Sequence, residues 1–394
     1  MRRGTFRAFL LAYTASEHAD GLCQVVLPLL ALRHGDGVLV GLVTTAARAP
    51  WLVLALPAGV LADRADRRSL LLTAATVRAA VATVLGLLVL GDRLSPIVLG
   101  VLAFLLGCCE VVHDTAAHAL TPRLVDAGDL PVANARLQSV EYTANHLGGR
   151  ALGGLFATVN AAVPMLFAGV VWGLGTVVTA KKIPANTGRA APEPTVPGTL
   201  RTAVSLITGD PALRNFLVAL AAMNTALAAF AVVLPTVVVG GGHGAGVYGL
   251  LLAVGGLAGL ATSLLAPALL RRLGYRRAVL LSCLAVGCGA GAPAVTADPV
   301  VLGAGVAATG LGVVVNVVTL TTRQLTVPDA LLGRVTSVFR LVTWGALPAG
   351  SLLAGLALTA VSPAELSRVA GAVILLATIP MGKATKEIDE LPAP

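Results

Sequence analysis

The chain has 394 residues, of which 56% are hydrophobic and 12% charged, with a mean hydropathy of +0.87, against about 45–50% apolar and 25% charged for soluble domains. This composition excludes a soluble enzyme or a nucleic-acid-binding domain. The formal charge of +9 sits in segments flanking apolar runs, where basic residues are topology signals at a membrane surface.

Strand alternation is absent, which argues against a barrel. The length leaves room for about twelve helices of roughly twenty residues each. Apolar periodicity and breakers place spans near 8–30, 38–61, 69–90, 96–120, 134–157, 161–180, 212–238, 246–270, 277–296, 299–322, 334–359 and 364–381. Arg2, Arg3 and Arg7 precede a long apolar run without a small-residue cleavage site, so the first run reads as a retained span and not a signal peptide. The cysteines, Cys23, Cys108, Cys109, Cys283 and Cys288, all fall inside apolar runs and lack metal or disulfide spacing.

An even number of spans puts both termini on one side. Of the 28 Lys and Arg, only Arg33, Arg93 and Arg368 fall on the opposite side, and Arg48, Arg78 and Arg150 fall inside spans. The bias predicts cytoplasmic termini, in a bacterial inner (plasma) membrane.

Between the second and third spans lies Gly59-Val60-Leu61-Ala62-Asp63-Arg64-Ala65-Asp66-Arg67-Arg68. So dense a run of charge between apolar segments must be a tight turn at the membrane surface. Gly59 is expected to allow close helix approach, Asp63 to cap or pair with a neighbouring helix, and Arg64, Arg67 and Arg68 to face anionic headgroups. The turn closely resembles the Gly-x-x-x-Asp-Arg-x-x-Arg-Arg loop signature of the major facilitator superfamily.

Further along, residues 181–211 form the one long connection, with Lys181-Lys182, a run of prolines and a short amphipathic stretch from Leu200 to Ile207. It predicts an N-terminal six-helix bundle over 1–180, a cytoplasmic linker over 181–211 and a C-terminal six-helix bundle with a short tail over 212–394. Arg271-Arg272-Leu273-Gly274-Tyr275-Arg276-Arg277 occupies the place of a second, weaker copy of the organising loop. Such a repeat implies two all-α bundles with substrate near the membrane midplane.

The resemblance extends to Asp20-Gly21 before Leu27-Pro28-Leu29, Arg48-Ala49-Pro50-Trp51, Pro122-Arg123-Leu124-Val125, Asn134-Ala135-Arg136-Leu137 and Gly333-Arg334-Val335 leading to Trp344-Gly345-Ala346-Leu347-Pro348. Together these look like the bacterial exporter branch that includes macrolide-efflux and enterobactin-exporter proteins, over essentially the whole chain. The resemblance implies a secondary active exporter of a drug, siderophore or secondary metabolite, driven by proton antiport. Alternating access is expected by rocking of residues 1–180 against 210–382, with Asp63 pairing near Arg136 or a helix N-terminus as a latch.

Ionisable residues inside apolar spans are costly and mark sites by default. The first half carries Glu17, His18, Asp20, Arg48, Arg78, Glu110, His113, Asp114, Glu141, His146 and Arg150. At about 1.5 Å rise per residue, Asp20, Arg48 and Glu110 lie at similar depth. Asp20 and Glu110 are the expected proton carriers, with Arg48 as their countercharge and Glu141 facing the same cavity. Glu17, His18, His113, Asp114 and Arg150 are expected to contact substrate, together with Asn224, Asn316 and Trp344 from the second half.

Gly149-Arg150-Ala151-Leu152-Gly153-Gly154 resembles the fifth-span antiporter signature but has Arg150 where that signature has proline. The expectation is a lost bend, and a buried cation that seeks Asp20, Glu17 or an anionic substrate. Sequence physics does not set direction, so a proton-coupled importer of a small solute is the alternative. Glu110-x-x-His113 also raises a divalent-cation exporter. A membrane-embedded enzyme is disfavoured, because His-Glu-x-x-His, Gly-x-Ser-x-Gly and phosphate-cradling glycine motifs are missing. No resident metal or cofactor is expected, and the partners are the substrate and the lipid bilayer, with a monomer as the simplest assembly.

Overall fold

The computed structural model describes residues 3–126, 129–184 and 200–389. Among these residues the secondary structure is entirely helical: α1 (Arg3–His34), α2 (Gly37–Arg64), α3 (Arg67–Leu90), α4 (Pro96–Leu124), α5 (Leu130–Val140), a π-helical segment (Glu141–Gly149), α6 (Arg150–Val159), α7 (Ala162–Lys182), α8 (Leu200–Gly209), α9 (Pro211–Gly240), α10 (Ala245–Gly291), α11 (Pro299–Thr309), α12 (Gly312–Thr326), α13 (Asp329–Ala357) and α14 (Pro363–Asp389), with a 3₁₀ turn (Ala292–Ala294) after α10.

Short polar residues set the boundaries. Asp36 accepts from the backbone amide of Val38 at 2.9 Å and starts α2, and Asp66 accepts from that of Ser69 at 3.2 Å and starts α3. Ser95 and Asp298 cap α4 and α11 with proline at the first helical position, where its missing N–H costs nothing. Ser362 and Glu365 make a reciprocal capping box at α14, with 2.8 Å and 3.2 Å bonds.

Nine helices are long and apolar enough to cross a membrane among the described residues. The expected spans lie largely on the observed helices, with two differences. The basic stretch 271–277 is no extended loop: two helices meet within α10 at a kink at Gly274, whose φ of 73° is open to glycine at little cost. The span expected over 299–322 is divided between α11 and α12 at Gly310 and Leu311.

The chain divides into two compact units: Met1–Glu193 with Val238–Ala253, and Pro194–Val237 with Val254–Pro394. In the first unit α2 packs on α4, α3 on α7 and α4, and α1 on α7, the π-helical segment and α6. Phe6, Phe9, Tyr13, Leu71, Leu120, Leu124 and Leu137 form an apolar cluster in this unit. Outward side chains such as Ile97 and Val159 are about four-fifths exposed, as suits a surface solvated by lipid. In the second unit α8 packs on α13 and buries Ala203 and Ile207. The linker prolines beyond Pro184 lie outside the described residues.

Candidate functional site

Two close helix crossings build the site in the first unit. A Cβ on Gly21 would lie 2.9 Å from the Gly149 Cα, so α1 and the π-helical segment touch along their backbones. That approach lets Asn145 Nδ2 donate to Glu17 Oε2 at 3.1 Å. Gly107 lies equally tight against the Ala47 carbonyl. Glu110, one turn along α4, therefore meets the part of α2 that carries Arg48 and Trp51, and it takes a hydrogen bond from Trp51. Only glycine permits either approach.

At the centre, Arg78 is fully buried and Asp20 is 7% exposed. The two form an ion pair through Arg78 Nη2 and Asp20 Oδ1. Arg78 Nη1 donates to Ser16 Oγ at 3.0 Å, and its guanidinium lies 4.5 Å from the centroid of the Trp172 ring. This corrects the expectation that Arg48 is the countercharge of Asp20: that partner comes from α3. Arg48 is half-buried and lies within electrostatic range of Glu110, as does Arg78.

The remaining acids gather around Asp114, which Glu17, Glu110 and Glu141 all sense electrostatically. His113 Nδ1 lies 3.4 Å from Asp114 Oδ1, and its ring stacks on Tyr13 at 6.5 Å between centroids. Glu141 accepts from Gln138 at 2.6 Å and is 3.9 Å from His146. His18 bonds the Ala144 backbone. Arg150 Nη2 donates to Gln24 Oε1 at 2.7 Å, so it reaches neither Asp20 nor Glu17. The fifth span was expected to lose its irregularity with the missing proline, but the π-helical segment preceding Arg150 supplies one by a different route. Among the described residues, no group of three or more His, Cys, Asp or Glu could hold a metal ion.

Loop residues depart from expectation. Arg67 is 4% exposed and donates from Nε to the Ala62 carbonyl at 3.2 Å, while Arg68 Nη2 donates to the Ala180 carbonyl at 2.7 Å. Both tie down carbonyls near helix C-termini instead of reaching for headgroups, because those carbonyls have no intrahelical donor. Arg64 and Arg136 are exposed. A Cβ on Gly59 meets nothing within 4 Å among the described residues, so this glycine makes no close approach. The side chain of Asp63, and with it the expected Asp63 to Arg136 pairing, lies outside the described residues.

In the second unit Asn224 Nδ2 donates to the Thr343 carbonyl at 2.8 Å, which joins α9 to α13 and commits its amide to structure. Asn316 is exposed, and Trp344 stacks under Arg340 at 5.0 Å.

Sequence reasoning placed Arg78 among the intramembrane charges without a role, and it passed over Asn145 and Gln24. A lone arginine in an apolar span was the available signal for the first. For the two amides the signal was weaker, since neutral polar residues inside spans commonly bond across helices.

A bundle of apolar helices around a network of buried charge defines an integral membrane protein of the transporter class. The transmembrane secretion effector family model of the major facilitator superfamily matches residues 1–390, and the chain belongs to that family. Among solved structures, a variant of the nucleoside transporter NupG is similar at TM-score 0.75 and 11% identity, with 98% of this chain and 99% of that one covered. A bacterial homologue of the iron transporter ferroportin is similar at TM-score 0.74 and 17% identity, covering 98% and 99%. A POT family transporter is similar at TM-score 0.74 and 12% identity, covering 98% and 96%. At these identities the likeness is one of fold. No curated protein matches the chain.

Proposed function

We propose that the protein is a secondary active exporter that moves a small organic molecule across a bacterial inner membrane by alternating access, driven by proton antiport. The observation that carries this is the division of labour among the buried carboxylates. Asp20 is compensated by direct contact with Arg78, whereas the hydrogen bonds to Glu17 and Glu110 come from the neutral donors Asn145 and Trp51, with Arg78 and Arg48 reaching Glu110 only through longer-range charge interaction. A carboxylate held by neutral donors in a low-dielectric site can have its charge balanced by an incoming proton or cation. Glu17 and Glu110 are therefore the proton carriers, and Asp20 has a structural role.

Twelve crossings support the topology when α10 is counted twice across Gly274, α11 and α12 once, and α1 and the Leu130–Val159 stretch are added to the helices apolar enough to span by composition. Both termini then lie in the cytoplasm, as the distribution of basic residues requires. The chain works as a monomer and needs no cofactor besides the gradient.

The test is uptake into inside-out vesicles under an imposed proton gradient, using a panel of lipophilic and acidic compounds. The native protein is expected to accumulate at least one compound, and Glu17→Gln or Glu110→Gln to abolish gradient-driven accumulation while leaving gradient-independent exchange. Accumulation that persists in both variants assigns the coupling elsewhere.

A further inference from the structure

A guanidinium inside a membrane-spanning segment needs a counter-charge or a hydrated cavity. Arg78 has Asp20, but among the described residues Arg48 and Arg150 have no such contact. The carboxylate ion pairs among the described residues involve Arg78, His113 and His146. Glu110 and Glu141 act on Arg48 and Arg150 respectively only through longer-range charge interaction.

Instead, the two arginines lie within electrostatic range of each other. Arg150's direct side-chain partner is neutral. Arg150 spends one nitrogen on the Gln24 amide, and its Nε is buried without a partner among the described residues. Tyr248, 3% exposed, lies within range of both guanidinium groups. It is held there because a Cβ on Gly154 would be 2.6 Å from the Gly249 Cα, so α6 and the first turns of α10 meet backbone to backbone.

The two like charges repel each other, Glu110 and Glu141 offset them only at longer range, and an oxyanion between them relieves the repulsion directly. The planar forks of guanidinium match the two oxygens of a carboxylate. We propose that Arg48 and Arg150 bind the carboxylate of the transported molecule, with the Tyr248 hydroxyl and the Gln24 amide completing the polar ring. The acids around Asp114 set the other limit on the ligand. They disfavour a second anionic group, which makes the substrate class a lipophilic monocarboxylate or a zwitterion. This assignment rests on the transport function proposed above and narrows its substrate.

The test is equilibrium binding to the purified full chain in detergent, read by fluorescence polarisation, and it needs no gradient. The probes are dansylated amino acids of graded side-chain size and their methyl esters, which remove the charge at almost constant shape. At least one acid is expected to bind about tenfold or more tighter than its ester. Arg48→Gln and Arg150→Gln should each erase that preference, and Arg150→Lys should keep part of it, with thermal melting confirming that each variant is folded.

Equal binding of acid and ester to the native protein overturns the proposal without recourse to any variant. So does a preference for the acid that survives both glutamine substitutions, or a series in which no acid binds. In each case the vesicle experiment still decides whether the protein is an exporter: gradient-driven uptake of a neutral or cationic compound, with no acid bound, leaves transport intact and removes only the carboxylate receptor.

Discussion

Asn145 donates its side-chain amide to Glu17 across 3.1 Å and thereby ties the π-helical segment of the fifth span to the first helix. Both residues are buried, and they are 128 positions apart in the chain. A double-mutant cycle with Asn145→Ala and Glu17→Ala, read as thermal stability in detergent, is expected to give a coupling of roughly 0.5–2 kcal/mol, the range found for hydrogen bonds between membrane helices. Additive losses would show that the two side chains stabilise the unit independently.

Arg78 and Asp20 should be mutually dependent. Arg78→Met alone leaves a buried carboxylate without its cation and is expected to destabilise the protein by roughly 3–5 kcal/mol. Pairing Arg78→Met with Asp20→Leu should recover much of that loss, since apolar replacement of a whole buried pair is often nearly neutral. The measurement is the melting midpoint of each variant in the same detergent.

The glycines offer a contrast within one half of the chain. Gly107→Val forces α4 away from the Ala47 carbonyl and should cost about 1–3 kcal/mol or prevent folding. Gly59→Ala enters open space and should change stability by less than about 0.5 kcal/mol, despite its place in the loop motif. Comparable losses at both positions would refute the packing account.

The arginines of the loop separate in the same way. Arg67→Ala removes a buried bond to the Ala62 carbonyl and should cost roughly 1–3 kcal/mol. Arg64→Ala acts on an exposed side chain and should stay within about 0.5 kcal/mol. Thermal melting of the two single variants distinguishes them.

Much of the helical layout was legible because hydropathy is a local signal. Asp36, Asp66, Ser95 and Asp298 sit where the apolar runs stop, and each starts the next helix. The charged residues of the candidate site were legible as a set, because charge inside an apolar span stands out. Their pairing was not. Asp20 and Arg48 match in estimated depth, but depth along a helix says nothing of which neighbour faces which side, and Arg78 took the pairing from another helix. Asp66 was one charge in a dense loop by sequence, and only its geometry distinguishes the cap of α3 from its neighbours. The π-helical winding was illegible altogether, since no residue pattern in Glu141–Gly149 announces it.

That winding decides which residues can work together. Nine positions separate Glu141 from Arg150, and in an α-helix nine residues make about two and a half turns, which would put the two on opposite sides. A π turn takes up roughly one residue more, so the same stretch closes about two turns and brings them round to one side, where each senses the other's charge. The segment behaves as a phase shifter: it lets one span present an acid and a base on the same side, and a one-residue deletion within it would rotate Arg150 out of reach without altering any functional side chain.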